Sequence, residues 1–312
     1  MATAFLFPGQ GAQQVGMGKD LLEQYPQAQT LFDQAEQATG LELKRLCFEG
    51  PMDQLSRTDV AQPAIFTVSA AMLAVMQEKT GGQIKPDFLA GLSLGEYTAL
   101  YAADCLDFVD MVKLVAKRGE LMQQAAEEHP SGMVAVIGLD EEAAQKLCDA
   151  AAEGQTLSCA NFNCPGQIVL SGENEACRRA AEKAEDFGAR GATVLKVAGA
   201  FHSEIMAGAA EKFADALNDV NFRDPKVPVI ANVDAGAYES ADRIPGKLVA
   251  QLTGAVRWQQ SMEKLLTDGA DKFYEIGPGR VLAGLMKRIQ RRTDFTSVNS
   301  AAAVEKLATE DK

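Results

Sequence analysis

Ser93 stands in Gly91-Leu92-Ser93-Leu94-Gly95, a Gly-x-Ser-x-Gly pattern. The short apolar run Phe88-Leu89-Ala90 precedes it, and a helix-forming segment, Glu96 to Ala103, follows. A serine on a tight strand-to-helix turn projects its hydroxyl away from the backbone, and flanking glycines let the chain bend that sharply. The helix start supplies free N–H groups where an oxyanion would form. The chemistry this suits is acyl transfer through a serine ester.

A serine hydroxyl needs a base within hydrogen-bond reach. The chain has two histidines, His129 and His202. His129 lies in the polar stretch Glu127-Glu-His-Pro-Ser-Gly132 and reads as an exposed linker residue. His202 directly follows the strand-like run ending at Val197, where catalytic groups gather in α/β sheets. His202 is therefore the expected base. No Asp or Glu stands out as a third triad member, and Glu204 is too close in sequence to be a good choice.

The elements that must position these groups alternate. Strands are expected at 4–7, 88–92, 227–232 and 272–276; helices at 25–39, 62–80, 108–127, 204–218, 245–267 and 281–291. Such alternation implies a parallel sheet with helices on its faces. Pro63 is expected in the first turn of its helix. Between Gly132 and Val197 the order is β-α-β-β-α-β, the split βαβ signature of a ferredoxin-like unit, with Asp140 as a helix N-cap. The expected organisation is a discontinuous large domain, 1–128 and 199–300, a small domain, 129–198, and a mobile tail, 301–312.

Composition bounds the rest. With 312 residues, 47% hydrophobic and 23% charged, the chain reads as an ordinary globular protein. Its formal net charge of −13 opposes nucleic-acid binding. Six cysteines without a Cys-x-x-Cys pair read as reduced thiols, and no cluster has metal-ligand spacing, so no metal is expected. Nothing resembles a signal peptide, and no apolar run approaches bilayer-spanning length. The expectation is a cytoplasmic protein with no membrane contact, or an organelle protein whose transit peptide has been removed. The glycines at 9, 11, 16 and 18 fit neither a P-loop nor a dinucleotide fingerprint. One basic group, Lys287, Arg288, Arg291 and Arg292, would fall on one side of a helix.

The ordered segments Phe7-Pro-Gly-Gln-Gly11, Gln62-Pro63, Gly91-x-Ser93-x-Gly95-Glu96-Tyr97, Arg118-Gly119, Asn161-x-Asn163-x-Pro165-Gly166-Gln167, Phe201-His202-Ser203, Gln251-Leu252 with Val256-Arg257-Trp258, and Glu275-Ile-Gly-Pro-Gly279 resemble the malonyl-CoA:acyl-carrier-protein transacylase family over about 1–298. The resemblance implies an α/β-hydrolase-like core with a ferredoxin-like insertion. It implies ping-pong transfer of malonyl from malonyl-CoA to the phosphopantetheine thiol of an acyl carrier protein, with Ser93 as nucleophile and His202 as base. Gln251 would supply a carbonyl that orients the imidazole, in place of a carboxylate. The N–H groups of Gln10 and Leu94 would form the oxyanion hole, where one donor is worth about 3 kcal/mol. Arg118 would hold the malonyl carboxylate, and Asn161 and Gln62 would line the pocket. Phe201 resembles members that take malonyl rather than branched acyl groups. The family usually carries His where this chain has Leu92.

Coenzyme A enters as thioester substrate, with no permanently bound cofactor, and the working unit is expected to be a monomer. Since both this chain and a carrier protein would be acidic, Lys287, Arg288, Arg291 and Arg292 are the expected landing site. Competing readings are a polyketide-type acyltransferase, a serine thioesterase or esterase, and a carrier-binding scaffold without activity.

Overall fold

The computed structural model describes residues 2–310. Strand β1 (Ala2–Phe7) leads into α1 (Lys19–Gln24), α2 (Pro26–Thr39), α3 (Leu43–Glu49), α4 (Met52–Leu55) and α5 (Thr58–Lys79). Then come β2 (Phe88–Gly91), α6 (Gly95–Ala102) and α7 (Phe108–Glu128). The next block is β3 (Ser131–Ile137), α8 (Glu141–Ala152), β4 (Leu157–Cys164), β5 (Gln167–Glu173), α9 (Asn174–Lys183) and β6 (Gly191–Val194). The chain closes with α10 (Ala207–Leu217), β7 (Val229–Ile230), α11 (Ile244–Thr253), α12 (Trp258–Thr267), β8 (Ala270–Ile276), α13 (Val281–Ile289), β9 (Asp294–Val298) and α14 (Ala301–Glu310).

This is an α/β fold with two sheets. One has the order β7-β2-β1-β8-β9 and the other β4-β5-β3-β6. Every pairing in the first is parallel, and every pairing in the second is antiparallel. Leu6, Phe5 and Phe7 of the central strand β1 are fully buried, as expected where helices cover both faces. The chain runs from β1 to β2 on one side and to β8 on the other. Ligand crevices in open α/β sheets lie at such a reversal, outside the carboxyl ends of the strands.

Helix α5 corrects two expectations. It starts at Thr58, so Pro63 lies inside it rather than at its first turn. The Pro63 carbonyl accepts from Thr67 Oγ1 at 2.7 Å. The helix is also long and apolar enough to cross a bilayer, yet 89% of its apolar window is buried within the protein. It is a core helix.

The expected helix 245–267 is two helices, α11 and α12. Gly254 between them is extended, with φ −91° and ψ 155°. The freed segment joins the edge of β4: Val256 N–H donates to Ala160 O at 2.8 Å, and Phe162 N–H donates to Val256 O at 2.9 Å. Those bonds stitch the two sheets' units together. The final stretch differs too. Residues 301–310 form α14 rather than a mobile tail, because Ala301, Val304 and Leu307 fall on one buried face. Residues 311–312 lie outside the described residues. The Asp140 cap is present, with Oδ1 accepting from Ala143 N–H at 2.8 Å.

Candidate active site

The loops after β1, β2 and β7 meet at the carboxyl edge of the parallel sheet. The two elbow glycines are required by close approach. A Cβ on Gly95 would come within 2.1 Å of Phe7 O, and one on Gly91 within 1.9 Å of Gly95 C. The elbow therefore sits directly on the end of β1, and Ser93 is forced to a left-handed backbone at φ 50°. Both of its backbone groups are held: Ser93 N–H donates to Asn232 Oδ1 at 2.6 Å, and Ser93 O accepts from Gln251 Nε2 at 3.0 Å.

His202 arrives from the other direction, on the segment that leaves β6. Ala200 N–H donates to Ser131 Oγ at 3.0 Å, and Phe201 O accepts from Ser171 Oγ at 2.7 Å, which anchors this segment to the antiparallel sheet. His202 is also left-handed, at φ 59°. Two strained residues facing one another across a seam mark a functional centre. Ser93 Oγ and His202 Nε2 are 2.8 Å apart, and His202 Nδ1 lies 2.7 Å from the backbone carbonyl of Gln251. With Nδ1 donating to that carbonyl, Nε2 is free to accept the serine proton. His129 is exposed, at the end of α7.

The imidazole is poised as a base. Burial first, and then the Arg118 cation, depress its pKa to about 4, so it is neutral at neutral pH. Arg118, on α7, is 1% exposed. Its Nη1 donates to Gln62 Oε1 at 2.6 Å, and its Nη2 donates to Gln251 Oε1 at 2.8 Å and to Ser93 Oγ at 3.1 Å. The face of the Tyr97 ring lies 5.1 Å from the guanidinium carbon. Arg118 Nε is buried with no partner, and among the described residues no carboxylate pairs with this cation. Burial lowers its pKa, opposed by Tyr97 and Glu96.

Ser93, His202 and Arg118 open onto a cavity of about 310 Å³ between the two sheets' units. Gln10, Leu94, Gln62, Asn161 and Phe201 line it, so the structure brings together nearly all of the site residues expected from sequence. Gln251 is fully buried behind it, and the carbonyl that meets His202 is its main-chain one; the side-chain amide instead ties down Ser93 and Arg118. Leu94 is the N-cap of α6, and the N–H groups of Gly95, Glu96 and Tyr97 in the first turn donate to Leu92 O, Ser93 O and Leu94 O at 2.9, 3.1 and 3.0 Å. Gln13 Oε1 accepts from Gly11 N–H at 2.7 Å, bracing the Gln10 loop. Leu92 also lines the cavity, where it packs against an apolar cluster of α12 and α13.

The basic group is arranged differently from the expectation. Only Lys287 and Arg288 belong to α13; the helix stops at Ile289, and Gln290 is extended at φ −140°, so Arg291 and Arg292 lie on the turn into β9. All four are exposed. Arg288 Nη1 donates to Gln167 Oε1 at 2.9 Å, and Gln167, Val281 and Leu285 line the cavity. Arg288 thus sits at the rim of the pocket, whereas Lys287 and Arg291 line a separate depression between α13 and β9.

Three site residues were not expected from sequence. Asn232, just past β7, donates Nδ2–H to Gly91 O at 2.7 Å besides holding Ser93. Glu96 is fully buried beneath the elbow, and its Oε2 accepts from Gln251 Nε2 at 2.6 Å and from Asn232 N–H at 3.1 Å. Tyr238 OH donates to Glu96 Oε1. The available signal was a carboxylate one position past a Gly-x-Ser-x-Gly elbow, inside an otherwise apolar helix.

Residues 4–310 match the family described as acyl transferase domain. The chain belongs to that family. As an acyl transferase it has near full-length relatives. The malonyl CoA-acyl carrier protein transacylase of Bacillus subtilis (strain 168) is 45% identical over 303 residues, covering 97% of this chain and 95% of that one. A crystal structure of an acyl carrier protein S-malonyltransferase from Vibrio cholerae superposes with a TM-score of 0.94 at 40% identity, covering 98% of this chain and 100% of that one. A malonyl-transacylase solved in complex with its type II PKS acyl-carrier protein superposes with a TM-score of 0.95 at 40% identity over 100% of both chains.

Proposed function

We propose that this acyl transferase carries malonyl groups from coenzyme A to the phosphopantetheine thiol of an acyl carrier protein, by a ping-pong route through a malonyl ester of Ser93, supplying fatty acid synthesis. The observation that carries the reading is Arg118: a buried cation to which, among the described residues, no carboxylate is hydrogen-bonded, 3.1 Å from the serine oxygen it would serve. A guanidinium can donate two parallel bonds to a carboxylate. An acyl group lacking the carboxylate leaves that cation unmatched, so acetyl is disfavoured. The names of the relatives from Bacillus subtilis and Vibrio cholerae, and the carrier-bound neighbour, support malonyl and a carrier protein as the two partners.

In the first half-reaction Ser93 Oγ attacks the thioester carbonyl while His202 Nε2 takes its proton. The N–H groups of Gln10 and Leu94 stabilise the oxyanion. Collapse breaks the carbon–sulfur bond, and the imidazolium returns its proton to the coenzyme A thiolate. In the second half His202 deprotonates the carrier thiol, which attacks the ester carbonyl; the bond from the carbonyl carbon to Ser93 Oγ breaks, and the imidazolium returns the proton to that oxygen. The fourth side of the mechanism is the Gln251 main-chain carbonyl, which stabilises the imidazolium as a triad carboxylate would. No resident cofactor takes part. Phe201 narrows the space beside the acyl α-carbon, and the exposed cations beside the rim receive the carrier.

The finer fold reading follows the same line. The β-α-β-β-α-β order with sheet order β4-β5-β3-β6 supports a ferredoxin-like small unit, and the elbow at the end of a parallel strand supports a hydrolase-like core. The working unit we propose is a cytoplasmic monomer.

Incubation with radiolabelled malonyl-CoA alone is expected to leave one stable label on the wild-type chain and none on Ser93→Ala. Label retained by Ser93→Ala overturns the mechanism, and rapid release of free malonate without carrier makes the protein a thioesterase instead.

A further inference from the structure

The catalytic histidine leans on a main-chain carbonyl, yet a fully buried carboxylate sits one bond further back. Glu96 accepts from three donors: Gln251 Nε2 and Asn232 N–H at Oε2, and Tyr238 OH at Oε1. Two of these partners lead to the reacting pair. Gln251 carries the carbonyl against His202 Nδ1, holds Ser93 O with its amide, and accepts from Arg118. Asn232 holds Ser93 N–H and the end of β2. Ser93 and His202 both have backbone conformations that persist only when surroundings over-determine them. Glu96 ties together the two residues that do so.

We propose that Glu96 is a positioning residue for the transfer reaction: it fixes Gln251 and Asn232 so that the strained elbow and the imidazole stay aligned, taking over at one remove the orienting work of a triad acid. The inference rests on the acyl-transfer reading of Ser93 and His202. Glu96 touches neither substrate nor imidazole.

An ionised carboxylate only accepts hydrogen bonds, which matches its three donors. Protonation places a donor in the web, and the Tyr238 hydroxyl must then reverse to accept it. Burial raises the Glu96 pKa to about 7, held down by Tyr238, Gln251, the Asn232 N–H and the Arg118 cation. The charged and titratable groups facing it are Arg118 of α7, Tyr238 beyond β7, and its neighbour Tyr97, itself pushed up by burial. The ionised web therefore prevails above pH 7 and the protonated one below.

Glutamine at this position keeps a carbonyl for Gln251 and Asn232 and offers Tyr238 an N–H, so it mimics the protonated form. Alanine leaves all three donors unmatched.

The test measures the rate of Ser93 modification by phenylmethylsulfonyl fluoride, and separately kcat and KM for acylation by malonyl-CoA, both by intact mass from pH 5 to 9. Glu96→Ala is expected to lower the sulfonylation rate and acylation kcat about 100-fold with KM for malonyl-CoA within threefold of wild type. Glu96→Gln is expected to restore both rates to within tenfold and to lose the inflection near pH 7. Tyr238→Phe removes a bond that favours the ionised form and moves the inflection to higher pH; it also serves if the alanine variant does not fold. Folded Glu96→Ala reacting within threefold of wild type, or a wild-type inflection unchanged in Tyr238→Phe, overturns the proposal. Because the sulfonyl fluoride carries no malonyl group, wild type that reacts with it but not with malonyl-CoA defeats the donor assignment and leaves this inference standing.

Discussion

The floor and the rim of the cavity at Ser93 are built on opposite principles. Beneath Ser93 the charged groups, Arg118 and Glu96, are buried, and their polar neighbours are chosen one by one: Gln62, Gln251, Asn232 and Tyr238. Outside the cavity, Lys287, Arg288, Arg291 and Arg292 are exposed, with Arg288 at the rim, and among the described residues none makes an ion pair. A buried charge deprived of its partner is strongly costly, whereas a solvated one is screened and adaptable. The floor should therefore govern rate and donor choice, and the rim should govern capture of a partner. Exposure separates the tasks of these cations.

Three variants press on that division, in falling order of effect. His202→Ala removes the base and should lower malonyl-enzyme formation by about 10⁴-fold, the scale seen when a triad member is lost; single-turnover quench measures it. A loss below tenfold would mean the proton goes elsewhere. Arg118→Ala should lower kcat/KM for malonyl-CoA by about 10³-fold while acetyl-CoA changes little, since a bidentate charged contact is removed from one donor only. The same variant carries a pH signature. The Arg118 cation is one of the two causes that depress His202, so its loss raises the imidazole pKa from about 4 toward its ordinary value. The base is then protonated at higher pH, and the low-pH limb of acylation moves up, not down. Least in effect, Arg288→Glu with Arg291→Glu should raise KM for the carrier about tenfold and flatten its dependence on salt, with self-malonylation unchanged. Equal loss in both assays would erase the distinction between floor and rim.

The parts of the site legible in sequence were those with local signatures. The elbow announces itself within five residues, and with one histidine in a linker the other was the sole good base. The web behind them was not legible: Tyr238 and Gln251 reach Glu96 across 142 and 155 residues of chain, and nothing near Asn232 advertises its role. Gln251 was anticipated as a carbonyl donor through family resemblance, but which carbonyl depends on the break at Gly254 that ends α11, and a continuous helical pattern hid that break. Strand β9 went unread because Asp294-Phe-Thr-Ser-Val298 is short and only weakly apolar. Helix α14 was missed for a similar reason: its buried face consists of Ala301, Val304 and Leu307, too few to outweigh its polar surroundings. The parallel sheet, in contrast, was visible at once, since its central strands are continuous apolar runs between helical stretches.

The 3.1 Å bond from Arg118 Nη2 to Ser93 Oγ has a further consequence. A hydroxyl oxygen has two lone pairs, and one of them is engaged by the guanidinium. On the proposed reading a cargo carboxylate would compete for that same N–H, so the far end of the acid would free the alcohol that receives its near end.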